Sequence, residues 1–402
     1  MGALGGAGSV VASRVTPETE AAPAPPAAKA AASPVIDAHF HIFPRFGTES
    51  GGEDPELNMR FLQYHSRGAR LRRKSDRVWV DEPRFSDFAG DDMRDLPDQN
   101  FRVTRFGEAE VTIDGVDYLL PIAPPGLESM AAPPERMVQE MEWASVDMGV
   151  LQHDHIYGAL NEYFHDAMRR FPGRFIALAQ IREWEGDRKA QHDRFERAVR
   201  EQGHKGLYFS VEPFALSNFE DHLDDARFEP LWDKVRELQI PVWWYLHSRR
   251  GRRKGRERFA GIMQHVAELD RWAQAHPDIP AVLTHGFDVF GYEIEGREKY
   301  QLPPVLMNLI KRPNMHFEVL FQTHYPEYPF SGAPEKIREL REELGGVDKM
   351  MWGSDMPSGR LDCTYQQAVD YIRLHCDFLA QEEKDLILGG NAARMFGLKG
   401  NA

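Results

Sequence analysis

Val35-Ile36-Asp37-Ala38-His39-Phe40-His41 is a short apolar stretch that carries two histidines two positions apart. Because the side chains of a β-strand alternate between its two faces, a strand here places Asp37, His39 and His41 on one face. Seven further apolar or β-branched stretches follow along the chain and have the length of buried strands. The eight predicted strands are 35–41, 148–152, 175–180, 206–211, 242–247, 281–285, 315–321 and 349–353.

Amphipathic stretches with helical spacing lie between these strands and after the last one. They predict helices over 134–146, 160–171, 188–202, 228–238, 259–275, 303–310, 334–344 and 365–379. Regular alternation of strands and helices is typical of a parallel sheet with crossover helices. Eight such units in a chain of this length predict an α/β fold, a (β/α)8 TIM barrel.

Two segments fall outside this alternation. Residues 1–33 are rich in alanine and proline and predict a disordered tail, since they offer little side chain to bury. Residues 44–133 interrupt the barrel domain (34–400) after strand one, and a loop of that length needs structure of its own. Asp114-Gly115 marks a hairpin turn within it. We therefore expect a cap insertion over the first strand.

The composition excludes several classes of protein. The 402 residues are 42% hydrophobic, which allows a large core. With 49 basic and 63 acidic residues the net charge is −14, which disfavours nucleic-acid binding. No apolar run is long enough to cross a membrane. The N-terminus lacks the basic region of a signal peptide, which predicts a cytoplasmic protein, or an exported one if the signal is truncated. Two cysteines, Cys363 and Cys376, cannot form a disulfide scaffold or a four-cysteine zinc site.

Polar residues close several of the predicted strands. His247 and His285 end apolar runs, and Asp355 follows Trp352-Gly353-Ser354. The carboxyl ends of the strands are where a barrel collects its catalytic groups. A lone His-x-His is a weak motif, but together with His247, His285 and Asp355 it predicts a metal site.

With these residues the chain resembles the amidohydrolase superfamily, in particular the group containing aminocarboxymuconate-semialdehyde and resorcylate decarboxylases. The matching motifs are Ile36-Asp37-Ala38-His39-Phe40-His41, Tyr245-Leu246-His247, Leu283-Thr284-His285-Gly286, Trp352-Gly353-Ser354-Asp355-Met356-Pro357 and Gly389-Gly390-Asn391-Ala392-Ala393-Arg394-Met395-Phe396-Gly397. The resemblance covers residues 35–400 and is weakest in the 44–133 insertion.

The resemblance implies a role for each polar residue. His39, His41, His247 and Asp355 match the family's metal ligands. Asp355 also matches a proton-transfer group, and His285 matches a catalytic histidine beside the metal. Three imidazoles and one carboxylate suit a divalent ion, with Zn²⁺ the default and Mn²⁺ compatible.

The residue at the end of the fourth strand indicates how many metal ions the site holds. Binuclear relatives bridge two ions with a carboxylated lysine at this position, whereas Lys205 precedes the strand here. This predicts one ion, and Glu212 is the residue that can overturn the prediction.

Three further features concern the substrate. Arg249 begins a basic segment, 249–256, directly after His247, and Arg45 follows the His-x-His strand. Both are candidate contacts for an anionic small-molecule substrate, since arginine pairs with carboxylates. The alternative interpretation of segment 249–256 is a solvated loop that does not contact the substrate. His153-Asp154-His155 is interpreted as the rim of the site.

Two reactions fit these residues. The first is non-oxidative decarboxylation of a carboxylated aromatic or enoic acid. In this reaction Asp355 or His285 transfers the proton that replaces carbon dioxide. The alternative is hydrolysis of a C–N, C–O or activated C–C bond by metal-bound hydroxide. The family group favours the decarboxylase slightly and makes a homodimer the default.

Overall fold

The computed structural model describes residues 33–47, 54–67, 69–85, 92–247, 256–285, 303–323 and 327–398. All of them belong to one compact unit, which begins at Ser33. The predicted tail lies outside the described residues except for Ser33. Arg249 and most of the basic segment that it begins also lie outside them.

The described residues form strands both in the barrel and in the insertion. In chain order they are β1 (Ile36–Phe40), β2 (Leu71–Arg73), β3 (Trp79–Val80), β4 (Arg102–Val103), β5 (Glu108–Ile113), β6 (Val116–Pro121), β7 (Met148–Leu151), β8 (Phe175–Ala179), β9 (Gly206–Ser210), β10 (Val242–Tyr245), β11 (Ala281–Leu283), β12 (Met315–Val319) and β13 (Met350–Trp352).

Eight of these strands form a parallel sheet in the order β1-β7-β8-β9-β10-β11-β12-β13. Residues just beyond β13 bring the two edges together. The Asp355 amide donates to the His39 carbonyl at 2.9 Å, and the His41 amide donates to the Met356 carbonyl at 2.9 Å. The sheet is therefore a nearly closed barrel, and the predicted (β/α)8 TIM barrel is confirmed.

Helices follow the barrel strands as predicted, with small shifts at their ends. The described α-helices are α1 (Pro55–Ser66), α2 (Pro134–Ala144), α3 (Asn161–Arg170), α4 (Lys189–Arg200), α5 (Glu229–Leu238), α6 (Arg256–Ala275), α7 (Pro304–Lys311), α8 (Ala333–Leu344), α9 (Tyr365–His375), α10 (Gln381–Asp385) and α11 (Asn391–Met395). None of the helices in the described ranges is long and apolar enough to cross a membrane.

The two faces of the barrel strands pack into different cores. Ala38, Val150 and Trp243 belong to a small cluster inside the barrel. Phe40 and Trp244 belong to the larger cluster formed with the helices. Burial on both faces explains why the strands are apolar runs rather than alternating ones.

The insertion between β1 and α2 is a small sheet with its own core. β2 to β6 form an antiparallel sheet in the order β3-β2-β6-β5-β4. Asp114 and Gly115 connect β5 and β6 at positive φ, 51° and 76°, as the predicted hairpin turn requires. Leu71, Phe85 and Leu120 pack together within it. The predicted cap insertion after strand one is confirmed.

Gly353 allows the end of β13 to approach β1. A Cβ atom at this position would lie 2.7 Å from the His39 Cβ and 2.9 Å from a Leu320 methyl group. Only glycine fits here without displacing the strands. The Trp-Gly-Ser-Asp sequence thus brings Asp355 beside the first strand.

Candidate metal centre

An irregularity in β1 sets the directions of its polar side chains. The pairing of β1 with β7 shifts register between Asp37 and Phe40. Asp37 accepts hydrogen bonds from the Ser354 amide (2.9 Å) and from the hydroxyl of Tyr365, on α9, at 2.7 Å. The prediction that Asp37 shares a face with His39 and His41 is therefore wrong, because the register shift interrupts the simple alternation.

His39, His41 and Asp355 meet at the carboxyl end of the barrel, and we call them the floor group. Asp355 Oδ1 lies 3.2 Å from His41 Nε2 and 3.6 Å from His39 Nε2. One ligand atom from each of the three residues lies within 4.8 Å of the others. Two strands at opposite edges of the sheet thus supply one cluster.

Hydrogen bonds behind the two imidazoles fix their orientation. His39 Nδ1 lies 2.6 Å from Glu318 Oε2, and His41 Nδ1 lies 3.1 Å from the Gln152 carbonyl oxygen. When each Nδ1 donates its proton, each Nε2 presents a lone pair toward Asp355. Burial lowers the pKa of His39 to about 3, so that this ring is neutral and able to act as a ligand.

Glu318 lies at the centre of this support. Its carboxylate is fully buried and also accepts from Trp243 Nε1 at 3.0 Å and from the His285 amide at 2.8 Å. Burial raises its pKa to about 7, and these hydrogen bonds oppose the rise. One buried side chain therefore positions both His39 and His285.

His285 lies beside the floor group. Its ring centre is 4.4 Å from that of His39 and 5.1 Å from that of Tyr245. His285 and Asp355 both adopt a left-handed backbone conformation, with φ values of 55° and 56°. This conformation is costly for non-glycine residues and is concentrated at functional sites.

The floor group suits a divalent metal ion. Ligand atoms about 2.0–2.2 Å from a metal at tetrahedral angles stand about 3.3–3.6 Å apart. The two distances to Asp355 Oδ1, 3.2 and 3.6 Å, are close to this range. Neutral imidazoles backed by a carboxylate or a carbonyl group are the usual histidine ligands of Zn²⁺ and similar ions.

A cavity of about 280 Å³ opens above the floor group. The barrel supplies its lower wall, and the insertion supplies much of its upper wall. The lining residues include His39, His41, Phe43, Phe46, Leu62, His65, Ser66, Ala69, Ile122, Leu127, Asp154, Tyr157, Tyr208, Tyr245, His285 and Asp355. The predicted catalytic residues His285 and Asp355 thus face the same space.

A second set of ionisable side chains, the cap-side group, consists of His65, Asp154 and Glu212. Glu212 Oε1 lies 3.3 Å from His65 Nδ1 and 3.6 Å from His247 Nε2. Burial and the neighbouring Glu212 carboxylate raise the pKa of Asp154. Burial alone would raise the pKa of Glu212, but the neighbouring His65 and His247 hold it below its usual value.

The structure does not bring every predicted site residue to the floor group. His247 lies against Glu212, outside the floor group, and its assignment as a metal ligand stays a prediction. Arg45 donates to the Thr104 carbonyl at 3.3 Å and does not line the cavity. Lys205 is exposed before β9, on the far side of the barrel from the site. Arg249 lies outside the described residues.

The three residues after β7 that were predicted to form the rim of the site have different surroundings. His153 is buried and bonded to the Leu178 carbonyl at 2.7 Å, and His155 pairs with Glu183 at 2.6 Å. Only Asp154 of the three lines the cavity. Glu318 was not predicted from the sequence, although it is a charged residue inside the apolar run Met315-His316-Phe317-Glu318-Val319.

Solved structures with related folds share little sequence with this chain, and no curated protein matches it. A probable 2-pyrone-4,6-dicarboxylic acid hydrolase from Acinetobacter baumannii is 14% identical, with a TM-score of 0.52 over 90% of this chain and 99% of its own. The 2,6-dihydroxybenzoate decarboxylase from Rhizobium is 17% identical, with a TM-score of 0.47 over 66% and 88%. A dihydroxybenzoic acid decarboxylase from Polaromonas sp. JS666, solved with manganese, is 16% identical, with a TM-score of 0.47 over 66% and 86%.

A comparison of the sequence with protein families gives a match over most of the chain. Residues 36–398 match the amidohydrolase family, a span that includes both the barrel and the insertion. The motifs at β1, β10, β11 and β13 and the C-terminal glycine-rich element all fall inside this span. The chain therefore belongs to the amidohydrolase family of metal-dependent enzymes.

Proposed function

We propose that this enzyme is a non-oxidative decarboxylase of a carboxylated aromatic or enoic acid, dependent on one catalytic divalent ion. The observation that carries the proposal is the floor group, with His285 beside it, at the base of a cavity with aromatic walls. A ring or a conjugated acid fits such walls, and its polar groups then face the floor.

His39, His41 and Asp355 would hold the ion, with His247 proposed as a further ligand. Zn²⁺ is the first candidate and Mn²⁺ the second. When bound, the ion supplies Lewis acidity toward a substrate carboxylate or hydroxyl oxygen. Glu318 and the Gln152 carbonyl group hold the imidazoles in the orientation that this role requires.

The protein's part in the reaction is proton transfer and positioning. The bond between the carboxylate and its carbon breaks, carbon dioxide leaves, and the electron pair stays on the carbon. Asp355 or His285 supplies the proton that replaces the carboxylate. His285 is suited to this because its backbone is fixed by Glu318 while its ring faces the cavity.

The cavity walls suit a planar substrate. Tyr157 packs against His41 at 4.7 Å and against Phe43 at 4.6 Å between ring centres, and it is 5% exposed. Tyr208 and Tyr245 line the same cavity. Aromatic side chains offer flat apolar surface and exclude water from the reacting carbon.

Hydrolysis is the second candidate function, and the cap-side group favours it. Asp154 is a buried carboxylate that lines the same cavity and can serve as a base toward water. A hydrolase would add the oxygen of water to its product, whereas a decarboxylase would not.

One experiment separates the two reactions. Metal-loaded enzyme is screened with carboxylated phenols and muconate-like acids in ¹⁸O-labelled water, and released carbon dioxide and product mass are measured. The proposal expects carbon dioxide with no ¹⁸O in the organic product, and no turnover in His39→Ala/His41→Ala. Product that carries ¹⁸O without carbon dioxide release would contradict decarboxylation and support hydrolysis. The cytoplasmic location and the homodimer stay predictions from the sequence.

A further inference from the structure

We propose that the cap-side group, His65, Asp154 and Glu212, binds a second divalent cation that ties the insertion to the barrel. His65 lies in the last turn of α1, within the insertion. Asp154 follows β7 and Glu212 follows β9, so both carboxylates belong to the barrel. One ligand atom from each residue lies within 4.8 Å of the others.

The Glu212 carboxylate is buried, and its polar contacts among the described residues are long. It is 1% exposed, and its contacts there are His65 Nδ1, at 3.3 and 3.4 Å, and His247 Nε2, at 3.6 Å. Charged hydrogen bonds between nitrogen and oxygen are normally about 2.7–2.9 Å long. A buried carboxylate with only long contacts is costly unless another positive charge lies beside it.

Asp154 presents a carboxylate oxygen to the same place. The side chain is 7% exposed and lines the cavity, and the Ile156 amide donates to Oδ1 at 3.2 Å. Within the described ranges the structure gives Oδ2 no hydrogen-bond partner. Two buried carboxylates next to each other repel, and a divalent cation between them removes this repulsion.

Arg67 does not take the place of such a cation. Its guanidinium group lies 3.3 Å from the centre of the Tyr64 ring and donates to the Tyr64 carbonyl at 2.6 Å. Its charge favours the ionised form of Glu212 from a distance but makes no hydrogen bond to it.

The ligand atoms of Glu212 and His65 have the spacing of two ligands of one ion. Atoms bound about 2.0–2.2 Å from one metal at tetrahedral angles stand about 3.3–3.6 Å apart. Glu212 Oε1 lies 3.3 Å from His65 Nδ1, within this interval.

A neighbouring pair shows how glutamate and histidine pack when no metal is required. Glu183 is fully buried, and its carboxylate lies 2.6 Å from His155 Nε2 and 3.0 Å from the Ser210 amide. These are ordinary hydrogen-bond distances. Glu183 is thus a matched control for Glu212. Both are buried glutamates beside a histidine, and Glu183 bonds to Ser210, which lies two residues before Glu212.

The proposed cation is separate from the catalytic one. None of the three residues of the cap-side group is a member of the floor group. The proposal is independent of whether the enzyme decarboxylates or hydrolyses its substrate. Its consequence is mechanical, since a ligand from α1 and two ligands from the barrel would hold the cavity roof in place.

The test is the metal content of full-length protein that is stripped with a chelator, reloaded with Zn²⁺ and desalted. We expect two equivalents in the wild type, one in Glu212→Gln, one in Asp154→Asn and two in Glu183→Gln. His39→Ala/His41→Ala is expected to keep one. The wild-type count needs no variant, so it stands even if a variant fails to fold.

Each other outcome has a definite meaning. One equivalent in the wild type, lost in His39→Ala/His41→Ala, would overturn the second site and leave the proposed function intact. Two equivalents retained by both Glu212→Gln and Asp154→Asn would overturn the assignment of these ligands. No metal in the wild type would overturn the second site and the proposed function together.

A second measurement tests the link between insertion and barrel. In the His39→Ala/His41→Ala background, added Zn²⁺ is expected to raise the Tm by a few degrees, because a ligand of the folded state stabilises it. Adding Glu212→Gln is expected to abolish this shift, whereas adding Glu183→Gln is expected to preserve it. A shift that survives Glu212→Gln would contradict the proposal.

Discussion

The floor group and the cap-side group have the same chemistry but different support. In the floor group, the far nitrogens of His39 and His41 are bonded at 2.6 and 3.1 Å to Glu318 and the Gln152 carbonyl group. In the cap-side group, the Glu212 carboxylate has no hydrogen bond or ion pair shorter than 3.3 Å among the described residues. Strands that are buried on both faces can hold ligands in place before an ion arrives. A group shared between an insertion and loops depends more on the ion itself.

The largest expected effect comes from Asp355→Asn. This change removes the one carboxylate of the floor group and a candidate proton donor, while the side chain keeps its shape. We expect turnover to fall by about 10²–10⁴-fold or more, since general acid–base groups alone contribute this much. The measurement is kcat with metal content on the same sample. Full activity in Asp355→Asn would show that the floor group does not take part in the reaction.

The second effect tests the support behind the floor group. Glu318→Gln keeps the volume but removes the charge that faces His39 Nδ1. We expect metal affinity at the floor group to fall about 10–100-fold, as it does when such supporting carboxylates are lost. Competition with a chromophoric chelator measures this change. An affinity equal to that of Glu183→Gln would show that the support is unimportant.

The third effect concerns the rigidity of the chain before Asp355. The Tyr365 hydroxyl donates to the buried Asp37 carboxylate, which also holds the Ser354 amide. Tyr365→Phe leaves this carboxylate with one fewer donor, so the free energy of unfolding is expected to fall by about 1–3 kcal/mol. Denaturant titration measures it. Tyr163→Phe, a half-buried tyrosine with no hydrogen bond among the described residues, is the control.

The smallest effect involves His204, which is buried, and His316, which is half-buried, and both lie away from the two groups. Burial lowers the pKa of His204 and of His316 to about 4. Between pH 6.5 and 4 the unfolded chain binds protons that the folded chain does not, so stability falls as the pH falls. Each group contributes a slope of up to about 1.4 kcal/mol per pH unit.

His204→Gln tests this dependence in chelator-treated protein. Denaturant titrations across the pH range are expected to show a shallower slope than in the wild type, because one of the contributing imidazoles is gone. An unchanged slope would mean that His204 is not neutral in the folded protein.

The barrel could be predicted from the sequence because its strands are buried runs with a clear period. The strand-end positions of His285 and Asp355 followed from the same pattern. Asp37 was misplaced because the register shift in β1 has no signature in the residue types. His65 could not be found, since its place beside Glu212 depends on how the insertion folds over the barrel. Glu318 was detectable as a charge inside an apolar strand.

The proposed chemistry depends on a metal ion at the floor group. An anomalous difference map, recorded at the zinc edge from crystals of Zn²⁺-loaded protein, shows such an ion without reference to activity. The predicted result is a peak bounded by His39 Nε2, His41 Nε2 and the Asp355 carboxylate. A map with no peak at these three atoms would contradict a metal-dependent reaction at this site, whatever else the protein binds.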